Sequence, residues 1–144
     1  FSCYRQTYYT TLVYVEDDIC LCTMQCSTLD HLIGLSYQCH SFEHFHYIES
    51  LKDESNSKLA LCAGVKCFDR AIEFNGVNIE SDSEDELLNR IDKSNVLTIQ
   101  LLVCRPATYV RYKSKNKYIH SNLETVKCMR PVNDTHTNKA FLKW

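Results

Sequence analysis

The sequence of 144 residues predicts a mainly β fold, in which five to six short strands form a curved, partly open barrel or sandwich. A short helix and a longer helix would close it. Short runs of β-branched and aromatic residues recur between polar turns, which is typical of strands. The dipeptide Asn75-Gly76 separates two such runs and is the strongest short-range signal for a hairpin. Ser83-Glu84-Asp85-Glu86 forms a capping box ahead of apolar residues at helical spacing.

Three strands are predicted in the first half of the chain. Tyr9–Val15 is rich in β-branched and aromatic residues, and the acidic residues that follow would end this strand. Residues 19–31 show no clean period and are predicted to form a long loop or insertion. Leu35–Cys39 and Phe45–Leu51 are predicted as the second and third strands, joined by a turn that contains histidines.

The middle of the chain carries signals for a cap and a hairpin. Lys58–Ala63 is apolar enough for a short helix, and Gly64 stands where a C-terminal glycine cap is expected. Arg70–Asn75 alternates between polar and apolar residues, which predicts a strand. Because both residues of the Asn75-Gly76 dipeptide tolerate positive φ, the chain is expected to turn there and return through Val77–Ile79.

A helix and a last strand are predicted after this hairpin. The capping box brings the Ser83 hydroxyl within reach of the amide three residues on, which favours the start of a helix. Apolar residues follow at helical spacing, so the helix is predicted over 83–93. Val96–Val103 places alternate apolar residues on one face and predicts the final strand, whose extension Pro106 limits.

The cysteines indicate the compartment. The chain has nine of them, an odd number, so full internal pairing is impossible. Their spacing does not match a disulfide framework, and 44% apolar residues suffice for a core without covalent support. Free thiols in a reducing environment are therefore expected, which places the protein in the cytoplasm, including the membrane cortex. No run approaches the roughly 18 apolar residues of a membrane span.

The charges divide the chain into two parts. The net charge is −2, but residues 1–104 carry 7 basic and 16 acidic residues, whereas residues 105–144 carry 9 basic and 2 acidic ones. We therefore predict an N-terminal flank at 1–7, a folded domain at 8–104 and a basic C-terminal extension or linker at 105–144.

Two stretches of the chain resemble a known family. Residues 63–79 have the sequence AGVKCFDRAIEFNGVNI, which resembles the core AGL-x-x-GDRI-x-x-VNG-x-x-V of PDZ domains. Residues 32–35, LIGL, resemble the carboxylate-binding loop of that family, in which a glycine lies between apolar residues. The resemblance covers about residues 8–104. The continuation over 104–127 loosely resembles the segment after the PDZ repeats of sodium–proton exchanger regulatory factor type scaffolds.

The resemblance implies a protein-interaction module and not an enzyme. Modules of this family bind the C-terminal tail of a partner by adding it as a strand beside a sheet edge, in a groove flanked by a helix. The expected partners are the C-terminal peptides of other proteins, such as membrane receptors, channels or transporters. The module would then serve a scaffold or adaptor in signalling. The peptide-binding residues that the resemblance implies are Leu32, Ile33, Gly34, Leu35, Ser36, Tyr37, Glu84, Leu88 and Ile91.

Physical chemistry supports these roles. Successive amides around Gly34 would form a nest that holds the terminal carboxylate of the peptide, because glycine permits backbone conformations closed to other residues. Helix positions 84, 88 and 91 share one face. On that face, Leu88 and Ile91 would join Leu35 in enclosing an apolar last side chain of the peptide, whereas Leu87 would point more into the core.

The chain departs from the family at several positions. Many PDZ domains have histidine where this chain has Glu84, whose carboxylate would accept from a hydroxyl or pair with Lys or Arg of the peptide. The predicted insertion at 19–31 is longer than usual, and two extra residues lie near Leu61-Cys62. Phe68 stands where the family prefers glycine, in the turn before Asp69. The last three departures concern the loops.

Metal binding, catalysis and binding to an anionic surface are the alternatives. Cysteines and histidines crowd residues 20–46, but the paired C-x2-C spacing of zinc sites is absent, so no metal or cofactor is expected. No G-x-S-x-G, phosphate-loop or H-E-x-x-H motif marks an active site. The segment 105–130 interleaves tyrosines with Lys and Arg, a pattern that suits anionic lipid or RNA. A solvated helix or linker is the other interpretation. Anionic lipid is the surface expected here, and nucleic acid is not.

Overall fold

The structure is a computed structural model that describes residues 13–25, 36–40, 45–50, 60–93 and 98–133. For residues 36–40, 49, 50, 88, 91–93 and 133 it describes the backbone alone. Residues 60–63 are helical. The other elements are β1 (Ile19–Gln25), β2 (Ser36–His40), β3 (Phe45–Ser50), β4 (Arg70–Phe74), β5 (Val77–Asn78), α1 (Glu84–Lys93), β6 (Thr98–Cys104), α2 (Pro106–Ser114), β7 (Val126–Cys128) and β8 (Val132–Asn133).

The described strands form one mixed sheet. Six of them follow the order β2-β3-β4-β6-β1-β7, with β5 paired to β4 and β8 paired to β1. The pairs are antiparallel except those of β7 and β8 with β1, which are parallel. Since β2 and β7 end the order without pairing to each other, the described strands do not close into a barrel. The prediction of a mainly β fold with helices is confirmed, and three helical segments are present among the described residues.

The first strand that the structure describes lies later in the chain than the first predicted strand. Residues 19–25 form β1 and pair along their whole length with β6, so the prediction of a loop there is wrong. The described end of the predicted Tyr9–Val15 strand is not in a strand, and Val15 is 84% exposed. The reason is that Cys20, Cys22 and Met24 alternate into the core, where cysteine and methionine pack as hydrophobic residues.

Both faces of the sheet are covered at its centre. On one face, Cys22 of β1 and Leu101 of β6 pack with Leu87 of α1 and with residues of the 60–65 segment. On the other face, Leu102 packs with Ile19 and with residues of α2 and the segment after it. Strands buried on both faces are expected to be apolar at consecutive positions, as β6 is over residues 101–104.

Residues of the basic extension cover the second face of the sheet. Pro106 opens α2, and Tyr109 (8% exposed) and Ile119 (1% exposed) lie in the core of that face. The amide of Arg105 donates to the carbonyl oxygen of Asp18 at 3.1 Å. The change from acidic to basic composition at 104–105 therefore coincides with the end of β6, but the hydrophobic core continues into the residues that follow. The proposed boundary of a domain at 8–104 stays a prediction.

Two turns and one helix start follow their local sequence. Asn75 and Gly76 have φ values of 49° and 82° and join β4 to β5, so the hairpin prediction is confirmed. Gly64 has φ +105°, and a Cβ built there would lie 2.9 Å from the Met129 side chain. The predicted capping box forms: the Glu86 amide donates to Ser83 Oγ at 3.1 Å.

Within the part of the chain that the structure describes, no helix is long and apolar enough to cross a membrane.

Candidate functional site

Among the strands that the structure describes, β2 lies at one end of the sheet. It pairs with β3 in an antiparallel register that places Tyr37 opposite Ile48 and Cys39 opposite His46, with a register shift between Ser36 and Tyr37. No other described strand pairs with β2. An end strand presents amide and carbonyl groups on its outer side, and such groups accept an added strand.

The N-terminal end of α1 is held next to this pair of strands. The side chain of His46, on β3, is fully buried, and its Nε2 donates to the carbonyl oxygen of Asp82 at 2.8 Å. Asp82 lies two residues before Glu84, the first residue of α1. Cys39 of β2 is the register partner of His46, so the contact with Asp82 comes from the strand that pairs with β2.

An ion pair fixes the start of α1 further. Arg90 Nε lies 2.5 Å from Asp82 Oδ2, and Arg90 Nη2 lies 3.3 Å from Asp82 Oδ1. The Asp82 side chain is 6% exposed, so this contact is shielded from water on the aspartate side. A bidentate contact of this kind adds geometric precision as well as energy. Asp82 therefore links α1 to β3. Its carboxylate binds Arg90 of α1, and its backbone carbonyl oxygen accepts from His46 of β3.

Some of the predicted site residues lie on these elements, and the others lie outside the described residues. Ser36 and Tyr37 lie in β2, and Leu88 and Ile91 lie in α1. Glu84 is exposed, and Leu87 is 4% exposed within the core, as predicted. The remaining predicted site residues lie outside the described residues: Leu32, Ile33, Gly34 and Leu35.

A buried ion pair lies away from this edge and was not predicted. Asp69 is 2% exposed, and its Oδ1 lies 2.7 Å from Nη1 of Arg105. The same Arg105 nitrogen donates to the carbonyl oxygen of Cys67 at 2.8 Å, and Asp69 Oδ2 accepts from the Lys66 amide at 2.9 Å. Burial raises the pKa of Asp69 to about 6, against the opposing effect of Arg105. The two residues are 36 positions apart, so no local pattern indicates their contact.

A second carboxylate joins the N-terminal segment to the extension. Asp17 accepts from the hydroxyls of Tyr14 and Tyr112, each at 2.6 Å, and from Thr125 at 3.0 Å. Burial acts to raise the pKa of Asp17, but the three hydroxyl donors together lower it below its usual value. Hydrogen bonds to the charged form of a carboxyl group have this effect.

Five of the six cysteine side chains that the structure describes are buried or partly buried. All six are free, and burial raises the pKa of Cys20, of Cys62 and of Cys22, the last to about 12. A nucleophilic cysteine needs a lowered pKa, since the thiolate is the reactive form. No cluster of three His, Cys, Asp or Glu residues able to hold a metal ion occurs in the part of the chain that the structure describes.

No protein-family model matches the chain, and no curated protein matches it. The chemistry of the end strand and of α1 therefore carries the functional inference.

Proposed function

We propose that this chain is a PDZ-type module that captures the C-terminal tail of another protein and has no catalytic activity. The observation that carries the proposal is the combination of an end strand, β2, with a helix, α1, that starts next to its neighbour β3. In this proposal the tail adds to β2 as a further strand, in a groove between β2 and α1.

The backbone of the resemblance segment supports the family. Phe68 has φ +69°, a left-handed conformation that is costly for a residue with a side chain. This is the position at which PDZ domains prefer glycine, so the turn keeps the conformation although the residue has changed. The order of β3, the helical residues 60–63, the β4–β5 hairpin, α1 and β6 also suits the family. A partly open barrel or sandwich of the PDZ type is part of the same proposal.

The mechanism follows from the chemistry of an extended chain end. The amides near Ile33, Gly34 and Leu35 would hold the terminal carboxylate in a nest. The backbone of Ser36 and Tyr37 would pair with the peptide backbone, which gives affinity without sequence preference. Leu35, with Leu88 and Ile91 of α1, would enclose an apolar last side chain, and Leu32 would form the start of the loop.

Glu84 supplies the selectivity in this proposal. It is exposed at the first turn of α1 and makes no ion pair with a described residue. Its neighbours Asp85 and Glu86 are exposed carboxylates as well, so this end of the groove is strongly negative. A carboxylate accepts from a hydroxyl or pairs with a cation. Tails that carry Ser, Thr, Lys or Arg two residues before the end are therefore the expected ligands.

The test uses a library of C-terminal peptides and one chemical change. The tightest peptide is compared with the same peptide carrying a C-terminal amide, by calorimetry or fluorescence anisotropy. Amidation should weaken binding at least about tenfold, because a set of charge-assisted hydrogen bonds is lost. Equal affinity of the acid and the amide would contradict capture of a chain end. Peptides with Lys against Glu two residues before the end serve as the second comparison, in which Lys should bind more tightly.

A further inference from the structure

The basic extension has a cationic surface that takes part in none of the contacts described so far. Residues 105–133 contain seven basic residues and one acidic residue. Three of the basic residues make contacts within the protein: Arg105 with Asp69, Lys113 with Glu80, and Arg111 with the ring of Tyr14. The other four are exposed and form no ion pair with a described carboxylate, and these are Lys115, Lys117, Lys127 and Arg130.

Two of these four residues, Lys115 and Lys117, lie in a turn at the end of α2. The Lys117 amide donates back to a carbonyl oxygen in the last turn of α2 at 2.9 Å, and Asn116 has φ +53°. Tyr118 is 78% exposed, whereas Ile119, the next residue, is 1% exposed. The buried isoleucine anchors this turn to the core, so Tyr118 is held out into solvent. We refer to residues 115–118 as the basic turn.

The exposure of Tyr118 is unusual for this protein. Tyr109 is buried, and Tyr14, Tyr47 and Tyr112 are partly buried, so Tyr118 is the exposed ring among the tyrosine side chains that the structure describes. A tyrosine ring has an apolar body and a polar tip, which suits the boundary between lipid headgroups and acyl chains. Lysine side chains next to it would reach the headgroup phosphates.

We propose that the basic turn docks on an anionic phospholipid surface. Charge complementarity supports this partner, because the turn carries two lysines, while residues 1–104 carry 16 acidic against 7 basic residues. An anionic bilayer would attract the turn and repel the body, which gives the protein one preferred orientation. Single-stranded RNA is less suited, because its binding relies on several aromatic rings on which successive bases stack. The proposal does not depend on peptide capture.

The test measures sedimentation of the full chain with vesicles of phosphatidylcholine, with and without phosphatidylserine. Binding should require phosphatidylserine and weaken as salt rises, because screening shortens the reach of the charges. Lys117→Gln should weaken binding about fivefold, the effect of one lysine close to an anionic surface. Lys66→Gln is the matched control, since its side chain is 60% exposed and the change in net charge is the same. That control should leave binding nearly unchanged.

A second pair of variants tests the ring. Tyr118→Ala should weaken vesicle binding, whereas Val77→Ala, at a residue that is 45% exposed on the β4–β5 hairpin, should not. The proposal is overturned if Lys117→Gln and Lys66→Gln weaken binding equally, since net charge alone would then account for it. It is also overturned if phosphatidylserine has no effect on binding. Binding of a short single-stranded RNA that Lys117→Gln weakens, without any vesicle binding, would assign the turn to nucleic acid instead.

Discussion

Asp69 and Arg105 form a buried pair whose members depend on each other. The aspartate side chain is 3% exposed and the arginine side chain 16% exposed, so both charges are largely out of water. Removing one partner of such a pair leaves an uncompensated charge in a medium of low dielectric constant, which is strongly destabilising. The pair joins the turn before β4 to the start of α2 and therefore attaches the extension to the body.

The pKa of Asp69 gives this pair a dependence on pH. It is raised from 3.8 to about 6, chiefly by burial, so the folded protein holds the proton more tightly than the unfolded chain does. The contribution of Asp69 to stability is therefore fully present below about pH 3.8 and is lost as the pH rises through about 6. Above that range, the ionised carboxylate relies on Arg105.

We expect Arg105→Met to lower the free energy of unfolding at pH 7 by about 3–5 kcal/mol, as breaking a buried pair does. At about pH 4.5 the loss should be smaller, because Asp69 is then protonated in the folded state. Lys113→Met is the control: it breaks the Lys113–Glu80 pair, whose side chains are 41% and 14% exposed and so lie closer to water, and it should cost less than Arg105→Met. Urea unfolding at the two pH values measures both variants. An equal loss at both values for Arg105→Met would contradict the raised pKa.

At the scale of elements, local signals predict local structure well. The Asn75-Gly76 turn and the Ser83–Glu86 box involve residues at most three apart, and the structure confirms both. The second and third strands were also predicted to within about two residues at each end. β1 was missed because its alternation uses Cys20, Cys22 and Met24, which β propensity does not favour. Its place in the sheet comes from pairing with β6, about 80 residues away.

The capping box allows a test of α1. Ser83→Ala removes the hydroxyl that accepts from the Glu86 amide, and we expect a loss of about 1 kcal/mol in the free energy of unfolding. Ser81→Ala is the matched control, because Ser81 is exposed in the turn before the helix and has no capping role. Its effect should stay within about 0.5 kcal/mol. Equal effects of the two substitutions in chemical unfolding would show that the cap does not stabilise the helix.

At the scale of the whole molecule, charge and packing do not follow the same boundary. Basic composition distinguishes residues 105–144 from the rest of the sequence, but composition reports on the surface of a protein. Side chains such as Tyr109 and Ile119 place the same segment in the core. The contacts of Asp17 with Tyr112 and Thr125 add to this attachment. Long-range contacts of this kind leave no periodic pattern in the sequence, so they could not be predicted.

Truncation tests this attachment. A chain that ends after Cys104 loses the cover of one sheet face, including Tyr109 and Ile119, whose burial contributes about 1.5–3 kcal/mol each. Since small domains are stable by only about 5–15 kcal/mol, we expect this chain to lose cooperative unfolding. A chain that ends after Asn133 keeps every described contact and is the control. The two are compared by circular dichroism during heating. A sharp transition at the control's midpoint in the shorter chain would contradict the expectation.

The two described elements of the candidate site could be predicted because their signals are local in the sequence. The helix at 83–93 and the strand near 36–40 both form as the sequence indicates. What fixes α1 beside β3 could not be predicted, because the contacts of Asp82 with His46 and Arg90 join residues 36 and 8 positions apart. A buried aspartate in an acidic run looks like a surface residue in the sequence.

The position of β1 in the sheet affects how the protein folds during synthesis. β1 is an inner strand, bordered by β6 on one side and by β7 and β8 on the other. Those neighbours leave the ribosome about 80 to 110 residues later, so β1 lacks these three partners while the residues between them are synthesised. Native contacts of such long sequence separation slow folding. During that interval a strand that carries Cys20, Cys22 and Met24 is exposed to thiol oxidation and to pairing with other chains. Expression yield is therefore expected to depend on a reducing environment more strongly than the stability of the finished fold does.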